Sequence, residues 1–568
     1  MSTSPRSFFI ALVVLFCLAA TAFGQATQEQ EAAVDKLFAE WNKTDSPGAA
    51  VGVITNGEFI LKKGYGSADL EHDVPITPKS VFYMASVSKQ FVTMAILLLE
   101  EQGKLGLDDE IQKYFPDFPK YDGPLTIRNF IHHTSGVRDN LTLWQLSGRD
   151  IYDSIEVDEM YQMIRRQKEL NFTPGDRYLY SNSCYFMLAQ IVEKVSGKPI
   201  KEFAEEEMFK PLGMKNTHFH DDQYHIVKNR VFSYSPGKDG YRNLIMRFDL
   251  VGSGGLYSNV EDLLMWDRNF YDNKLGKKQE ALVEKMEEEG LLNDGSSTGY
   301  AFGLSNGTHK GLRTVGHSGG LAGYSTYMVR YPDQNFSVIV LANLAGFNSV
   351  GKSREIAEIF LKDEFKEKAP AGNASNSTDQ KEPETYATLT AEQLKSFEGT
   401  FWNPENSIFS KILTKEGKMM IERDGIPPTE VKPLSENSLK VLFPGLNVVL
   451  TFQNGDGGKH GYGEVINGRP SLRFDAYETP DYSEAQLSAL VGSYFSEEVN
   501  AYYKFTLNDG KLSLSINDKD LGALEPLVKD LWRNETVGVI TIDSDSNGSP
   551  TGFRLDAGRV RNLKFVRR

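Results

Sequence analysis

Ser86-Val87-Ser88-Lys89 is an S-x-x-K sequence, placed where a hydrophobic run of helical character begins. On a helix, residues three apart share a face, so Lys89 can approach the Ser86 hydroxyl. Free backbone N–H groups and partial positive charge at a helix start would favour that hydroxyl's ionised form. A serine is a weak nucleophile until a base takes its proton, and a desolvated lysine can be that base. Alone, the motif reads better as a serine helix cap followed by a solvated lysine. Two further clusters change its context. Tyr180-Ser181-Asn182 follows Thr173-Pro174-Gly175 and precedes a second apolar helix, and His317-Ser318-Gly319-Gly320 stands just before a predicted strand.

The elements that would position these residues follow from periodicity. Residues 30–42 read as an amphipathic helix with Ala33, Leu37, Phe38 and Trp41 on one face. Residues 48–54 and 59–64 read as a hairpin closed by Asn56-Gly57, a pair suited to the positive φ of a tight turn. Residues 86–103 read as a buried helix, apolar nearly all round. Residues 324–331 and 336–342 read as paired strands about Pro332-Asp333, and a helix over 353–365 closes the unit.

Ser86/Lys89, Tyr180/Asn182 and His317/Gly319, in that order, resemble the three signature elements of the serine β-lactamase and penicillin-binding-protein superfamily. The second element, Tyr-x-Asn, is that of its class C-like branch. Residues 125–136, 173–182 and 252–262 resemble the same family, and the likeness spans about residues 30–365. The resemblance implies a β-lactamase-like α/β domain, an antiparallel sheet flanked by helices plus a helical subdomain. It implies Ser86 as the acylated nucleophile, with Lys89 and Tyr180 sharing its proton. Asn182 would bind the substrate amide and position Lys89. Backbone N–H groups of Ser86 and Gly320 would form the oxyanion hole, Gly319 allowing close approach. No cofactor and no metal is implied.

One residue departs from the pattern of β-lactamases and D,D-peptidases. Their third element usually begins with lysine, which attracts a substrate carboxylate, whereas here it is His317, neutral or partly charged near neutrality. His-x-Gly elements occur in D-aminopeptidases of the superfamily, which also carry two C-terminal β-barrel domains. The expected activity is therefore hydrolysis, through an acyl-enzyme on Ser86, of short peptides, amides or esters, those with D-amino acids included. A β-lactamase, D,D-peptidase or esterase of the same superfamily is the alternative. A non-catalytic protein binding a peptide or glycan through its C-terminal repeats is the rival from another class.

Those repeats are read directly from the chain. Leu394, Gly399, Phe401, Lys411, Gly417, Lys418, Pro433 and Leu434 recur, each 93 residues later, as Leu487, Gly492, Tyr494, Lys504, Gly510, Lys511, Pro526 and Leu527. Short alternating runs between Gly and Asn/Asp predict two small all-β barrel-like domains, over 385–479 and 480–568. The hydrolase domain is expected over 30–368, and the small polar stretch 369–384 reads as a linker.

The 568 residues carry 62 Lys+Arg against 77 Asp+Glu, a formal charge of −15, with no basic cluster, which excludes a nucleic-acid partner. The expected partner is a small-molecule or peptide substrate, and the oligomeric state stays open. Residues 1–24 read as a signal peptide: Arg6, an apolar run over 8–20, then Ala22-Phe23-Gly24. The run is short for a bilayer span, though an uncleaved anchor is the alternative. The expectation is a secreted or periplasmic protein with no stable membrane insertion after signal removal. Two cysteines occur, Cys17 and Cys184, and only Cys184 would remain, which leaves no intramolecular disulfide. His218, His220 and His225, with His132 and His133, suggest zinc ligands, but His-x-His converges only on an extended strand. Zinc is set aside. Ser135 lacks a lysine three residues on and reads as part of a structural turn, and Cys184 beside an apolar helix reads as packed.

Overall fold

Thr27 opens the first helix, α1 (Gln28–Phe38), through a capping box in which its hydroxyl accepts the Gln30 N–H and the Gln30 side chain returns to the Thr27 N–H. This cap starts the helix two residues before the expected position, and the helix ends at Phe38 rather than 42. The computed structural model describes residues 25–247, 249–365, 386–404, 408–423, 426–443, 447–455, 458–466 and 469–568. The expected signal peptide over 1–24 and linker over 369–384 lie outside the described residues. The chain divides into two units near residue 370.

In the first unit, β1 (Ala49–Thr55) and β2 (Glu58–Tyr65) form the expected hairpin. Asn56 and Gly57 both take positive φ, 50° and 73°, as a turn matched to strand twist requires. Further strands complete an all-antiparallel sheet: β3 (Ser305–His309), β4 (Leu312–Leu321), β5 (Tyr324–Tyr331) and β6 (Phe336–Ala342), in the order β3-β4-β5-β6-β1-β2. The central strands β1 and β6 are buried on both faces, which is why they read as unbroken apolar runs. On one face, Val34 and Phe38 of α1 and Ile356 and Ala357 of a helix over Ser349–Phe360 pack against Val51, Val53, Val338 and Val340. On the other lies a helix over Val260–Asn269, whose Val260 sits against Gly52. Behind it are α2 (Lys89–Glu101), entirely buried from Lys89 to Leu99, and α3 (Asn182–Ser196). Shorter helices over Ile127–Ile131, Asn140–Leu146 and Val157–Arg165 complete the helical part.

The second unit holds the two β repeats. The first copy is a closed barrel of eight antiparallel strands from Gly399 to Ala476, sealed where Phe401 pairs with Ala476. Its core includes Phe397, Phe401, Phe452, Tyr462 and Phe474. The second copy has nine strands and does not close. The 93-residue offset carries the single strand Ile426–Ser435 onto two strands, Lys519–Ala523 and Glu525–Val528. The sheet opens between those two strands. Among the described residues, no helix is long and apolar enough to cross a membrane.

Candidate active site

Every residue from 80 to 99 is buried except Ser86. That exception arises from a local change of helix type. Ala85–Ser88 form a 3-10 turn, and the α-helix starts only at Lys89, so the regular helix expected from 86 begins with a tighter turn. In 3-10 geometry residues i and i+3 eclipse, which stacks Lys89 over Ser86. Ala85 takes φ 47°, a left-handed conformation that L-alanine avoids, so the backbone is strained beside the Ser86 hydroxyl.

The Lys89 amine donates to three oxygens: Ser86 Oγ at 3.1 Å, Asn182 Oδ1 at 3.0 Å and the Ser253 carbonyl at 2.6 Å. It also lies 4.8 Å from the Tyr180 ring centroid and 5.4 Å from that of Tyr185. The partners suit two protonation states. An ammonium uses three N–H bonds for three acceptors. A neutral amine uses two for Asn182 and Ser253, leaving its lone pair facing the Ser86 hydroxyl. A proton can therefore move between Ser86 and Lys89 without rearranging a heavy atom.

Each surrounding residue is held from a different element. Asn182 is the first residue of α3, and its backbone N–H donates to Asp139 Oδ2 at 2.7 Å. Tyr180 packs on His133, ring centroids 4.2 Å apart, and the Ser181 N–H donates to His133 Nδ1 at 3.1 Å. His133 is thus a buried support for the Tyr-x-Asn segment.

His317 and Gly319 lie on one face of β4, buried toward α2, while Ser318 and Gly320 face out. A Cβ on Gly319 would stand 2.4 Å from the Met84 carbonyl oxygen, 2.4 Å from Thr326 Oγ1 and 3.0 Å from the Ala85 Cβ. Only glycine lets the strand approach the Ser86 turn this closely. Thr326, the cross-strand partner of Gly319, donates to the Met84 carbonyl at 2.9 Å and ties turn to sheet. The neighbouring β3 pairs only with Leu312–Gly316, so among the described residues no strand pairs with that edge of 317–321. Gly320 has open space beside its Cα.

His317 Nδ1 lies 2.6 Å from the Ser318 carbonyl and Nε2 lies 2.9 Å from the Tyr300 hydroxyl. Burial and then the Lys89 charge push its pKa down to about 3. It is a neutral imidazole at physiological pH.

The structure therefore brings Ser86, Lys89, Tyr180, Asn182 and His317 to one place, with Gly319 packed beneath Ser86 and Gly320 following on the strand. Sequence reasoning missed Asp139, His133, Ser253, Thr326 and Tyr300. Asp139, His133 and Ser253 lie in or beside stretches noted for family likeness, but nothing in the local pattern marks Tyr300 or Thr326.

The other candidates fall elsewhere. His218 lies on the short extended strand His218–Phe219, and its Nε2 is 3.4 Å from His220 Nδ1. His225 is exposed, with its ring centroid 5.9 and 6.1 Å from those of His218 and His220. Among the described residues, no three His, Cys, Asp or Glu side chains are arranged to hold a metal ion. His132 donates through Nδ1 to the Tyr300 carbonyl at 3.1 Å, and burial pushes its pKa down to about 4. Ser135 is buried, its hydroxyl 3.2 Å from Cys184 Sγ, and burial pushes that thiol up to about 12.

Comparison with known proteins agrees with this geometry. Penicillin-binding protein 4* of Bacillus subtilis (strain 168) is 32% identical over 303 residues, covering 50% of this chain and 66% of that protein. A D-aminopeptidase of Brucella canis is 28% identical over 305 residues, covering 53% of this chain and 57% of the relative. The chain thus matches less than two thirds of each relative's length. Two solved structures share the fold. The octameric penicillin-binding protein homologue from Pyrococcus abyssi has a TM-score of 0.54 at 22% identity, covering 87% of this chain and 98% of its own. D-amino acid amidase from Ochrobactrum anthropi SV3, complexed with D-phenylalanine, has a TM-score of 0.51 at 20% identity, covering 59% of this chain and all of its own. The Beta-lactamase family model matches residues 32–360, more than half of the chain. With the three signature elements gathered around one buried lysine, this chain belongs to the beta-lactamase family.

Proposed function

We propose that this chain is a serine hydrolase that acylates Ser86 and cleaves short peptides, amides or esters lacking a carboxylate beside the scissile bond, D-aminoacyl substrates among them. The observation that supports it most is the Lys89 amine, buried and shared between Ser86 Oγ, Asn182 Oδ1 and the Ser253 carbonyl. In this reading Ser86 Oγ attacks the substrate carbonyl while its proton passes to the Lys89–Tyr180 pair. The N–H groups of Ser86 and Gly320 hold the oxyanion, and the open edge of β4 aligns the substrate chain. The leaving amine or alcohol takes the proton back. Water, deprotonated by the same pair, then releases the acyl group and restores Ser86.

The neutral His317 favours aminopeptidase-like or amidase-like substrates over those of a β-lactamase or D,D-peptidase, which would need a cation there. The D-aminopeptidase and amidase among the similar proteins lend support to the same side. Export is part of the proposal and rests on the sequence of residues 1–24 alone; fractionation of the native host would test it.

The experiment is covalent labelling with a fluorophosphonate and a β-lactam, read by intact mass. A parallel panel compares a D-alanine anilide, a nitrophenyl ester, a D-alanyl-D-alanine peptide and a chromogenic cephalosporin. An adduct on Ser86, lost in Ser86→Ala together with hydrolysis, is expected. No adduct, or full hydrolysis by Ser86→Ala, would sink the proposal.

A further inference from the structure

Tyr300 is 2% exposed and lies on the loop before β3, in none of the three signature elements. Its hydroxyl is 2.9 Å from His317 Nε2. Its ring meets His133 at 4.7 Å between centroids and Tyr180 edge-on at 6.1 Å, and its carbonyl accepts from His132 at 3.1 Å. A single side chain thus touches the support of the second signature element and the first residue of the third.

Hydrogen-bond logic fixes what the phenol does there. The Ser318 carbonyl can only accept, so at 2.6 Å the proton of His317 sits on Nδ1. With Nδ1 protonated, a neutral ring has at Nε2 only a lone pair, and the Tyr300 O–H must point at it. The charged groups facing the ring argue against the alternative. Lys89 lies close enough to disfavour a second cation, and Tyr180, its ring centroid 6.1 Å away, offers only a phenol. Tyr185 already donates its own proton to the Ile131 carbonyl at 2.9 Å. The Tyr300 hydroxyl also bonds the Tyr185 hydroxyl; were its proton spent there, the 2.9 Å contact with His317 would be a hydrogen bond only if Nε2 donated, making the ring a buried imidazolium beside Lys89. Burial opposes that charge.

We propose that Tyr300 is a positioning residue that locks His317 as a neutral Nδ1–H imidazole with its Nε2 lone pair occupied, and thereby excludes substrates bearing a carboxylate at this position. The effect on substrate choice rests on the acyl-enzyme reading above; the lock on His317 does not. Where a lysine at the start of the third element would attract a carboxylate, this pair presents a dry, uncharged hydrogen-bonded ring. Removing the phenol oxygen leaves the ring and packing of a phenylalanine and opens the Nε2 lone pair, while burial and Lys89 still oppose a charged ring.

The test uses the full chain with histidine labelled by ring 15N, followed by NMR from about pH 5 to about pH 8. His317→Gln identifies the resonance. In the wild type, His317 is expected to show the Nδ1–H pattern without titrating. In Tyr300→Phe, the Nε2 resonance is expected to move as it loses its hydrogen bond, while burial and Lys89 keep the ring uncharged. The ratio of kcat/KM for a D-aminoacyl peptide with a free carboxylate over its C-terminal amide should rise about tenfold at every pH in that range, because the unlocked ring can present an N–H to the carboxylate as its Nε2–H tautomer. A merely structural loss would lower both rates together and leave the ratio at its wild-type value. An Nε2–H or imidazolium signal for wild-type His317, or unchanged ring shifts in Tyr300→Phe, would overturn the lock even if the variant folded poorly. If the wild type hydrolyses nothing while its His317 shows the Nδ1–H form, the acyl-enzyme reading fails and the lock stands.

Discussion

The Asp139 carboxylate joins two helices at the Asn182 backbone: one oxygen accepts the Asn182 N–H at 2.7 Å, the other the N–H of Thr142 at 2.9 Å and its hydroxyl at 3.0 Å. A single buried side chain therefore caps the helix Asn140–Leu146 and holds the start of α3, where Asn182 meets Lys89. Asp139→Asn keeps one acceptor but turns an amide N–H toward either Asn182 N–H or Thr142. Leaving a buried donor without a partner costs about 1–3 kcal/mol. The expected outcome is a loss of about 2 kcal/mol in urea unfolding, with kcat/KM down about tenfold to a hundredfold as Asn182 shifts from Lys89. A variant with wild-type stability and activity would show that this carboxylate does not hold Asn182.

Gly319 and Gly320 are neighbours with opposite tolerance. A Cβ at Gly319 would collide with Met84, Thr326 and Ala85, whereas one at Gly320 would meet nothing within 4 Å. Gly319→Ala should push β4 away from the Ser86 turn, costing about 1–3 kcal/mol and at least about a hundredfold in acylation rate. Gly320→Ala keeps the backbone N–H and should retain wild-type stability. Thermal melts and rates of fluorophosphonate labelling on the two variants check the contrast.

The part of this site that was legible in the sequence was its three short motifs, because each packs its chemistry into three or four consecutive residues. The hairpin at Asn56-Gly57 and the strands around Pro332 were legible for a similar reason, since turn residues and apolar periods are local signals. The residues missed act across long sequence separations. Tyr300 reaches His317 over a sheet edge, and Asp139 reaches Asn182 between helices. The positive φ of Ala85 was invisible because alanine ordinarily avoids it; the surrounding tertiary packing imposes it. Likewise the 93-residue repeat announced two like domains, but not that Ile426–Ser435 stays one strand while its counterpart breaks at Leu524 and leaves the second sheet open.

Lys89→Met separates chemistry from folding. The methionine fills most of the lysine's volume and removes a fully buried amine, whose desolvation is costly. That gain is offset by two acceptors, Asn182 Oδ1 and the Ser253 carbonyl, that lose their donor. Stability is expected to stay within about 2 kcal/mol of the wild type, while labelling of Ser86 slows by about a thousandfold or more. Labelling at the wild-type rate would mean that another group takes the serine proton.

Five imidazoles held below their free pKa make the fold sensitive to acid, His309 among them. Burial is the first cause in each case, and it pushes His132, His218 and His220 down to about 4 and His317 to about 3, against 6.5 in an unfolded chain. Between these values the unfolded chain binds protons that the folded one refuses, so stability rises with pH across that window. It is complete above about pH 6.5 and is lost progressively as the pH falls toward 4. Asp267 opposes the trend: burial raises its pKa from 3.8 to about 6, so its folded form gains from protonation below that value. Burial raises Asp249 as well, but two carboxyls do not balance five imidazoles. The melting temperature should be level above about pH 7 and fall by on the order of ten degrees between about pH 6.5 and 4. Replacing His218 and His220 by glutamine removes two of the five groups and should make that slope shallower. A slope unchanged by the double substitution would place the acid sensitivity elsewhere, because neither glutamine can take up a proton on unfolding.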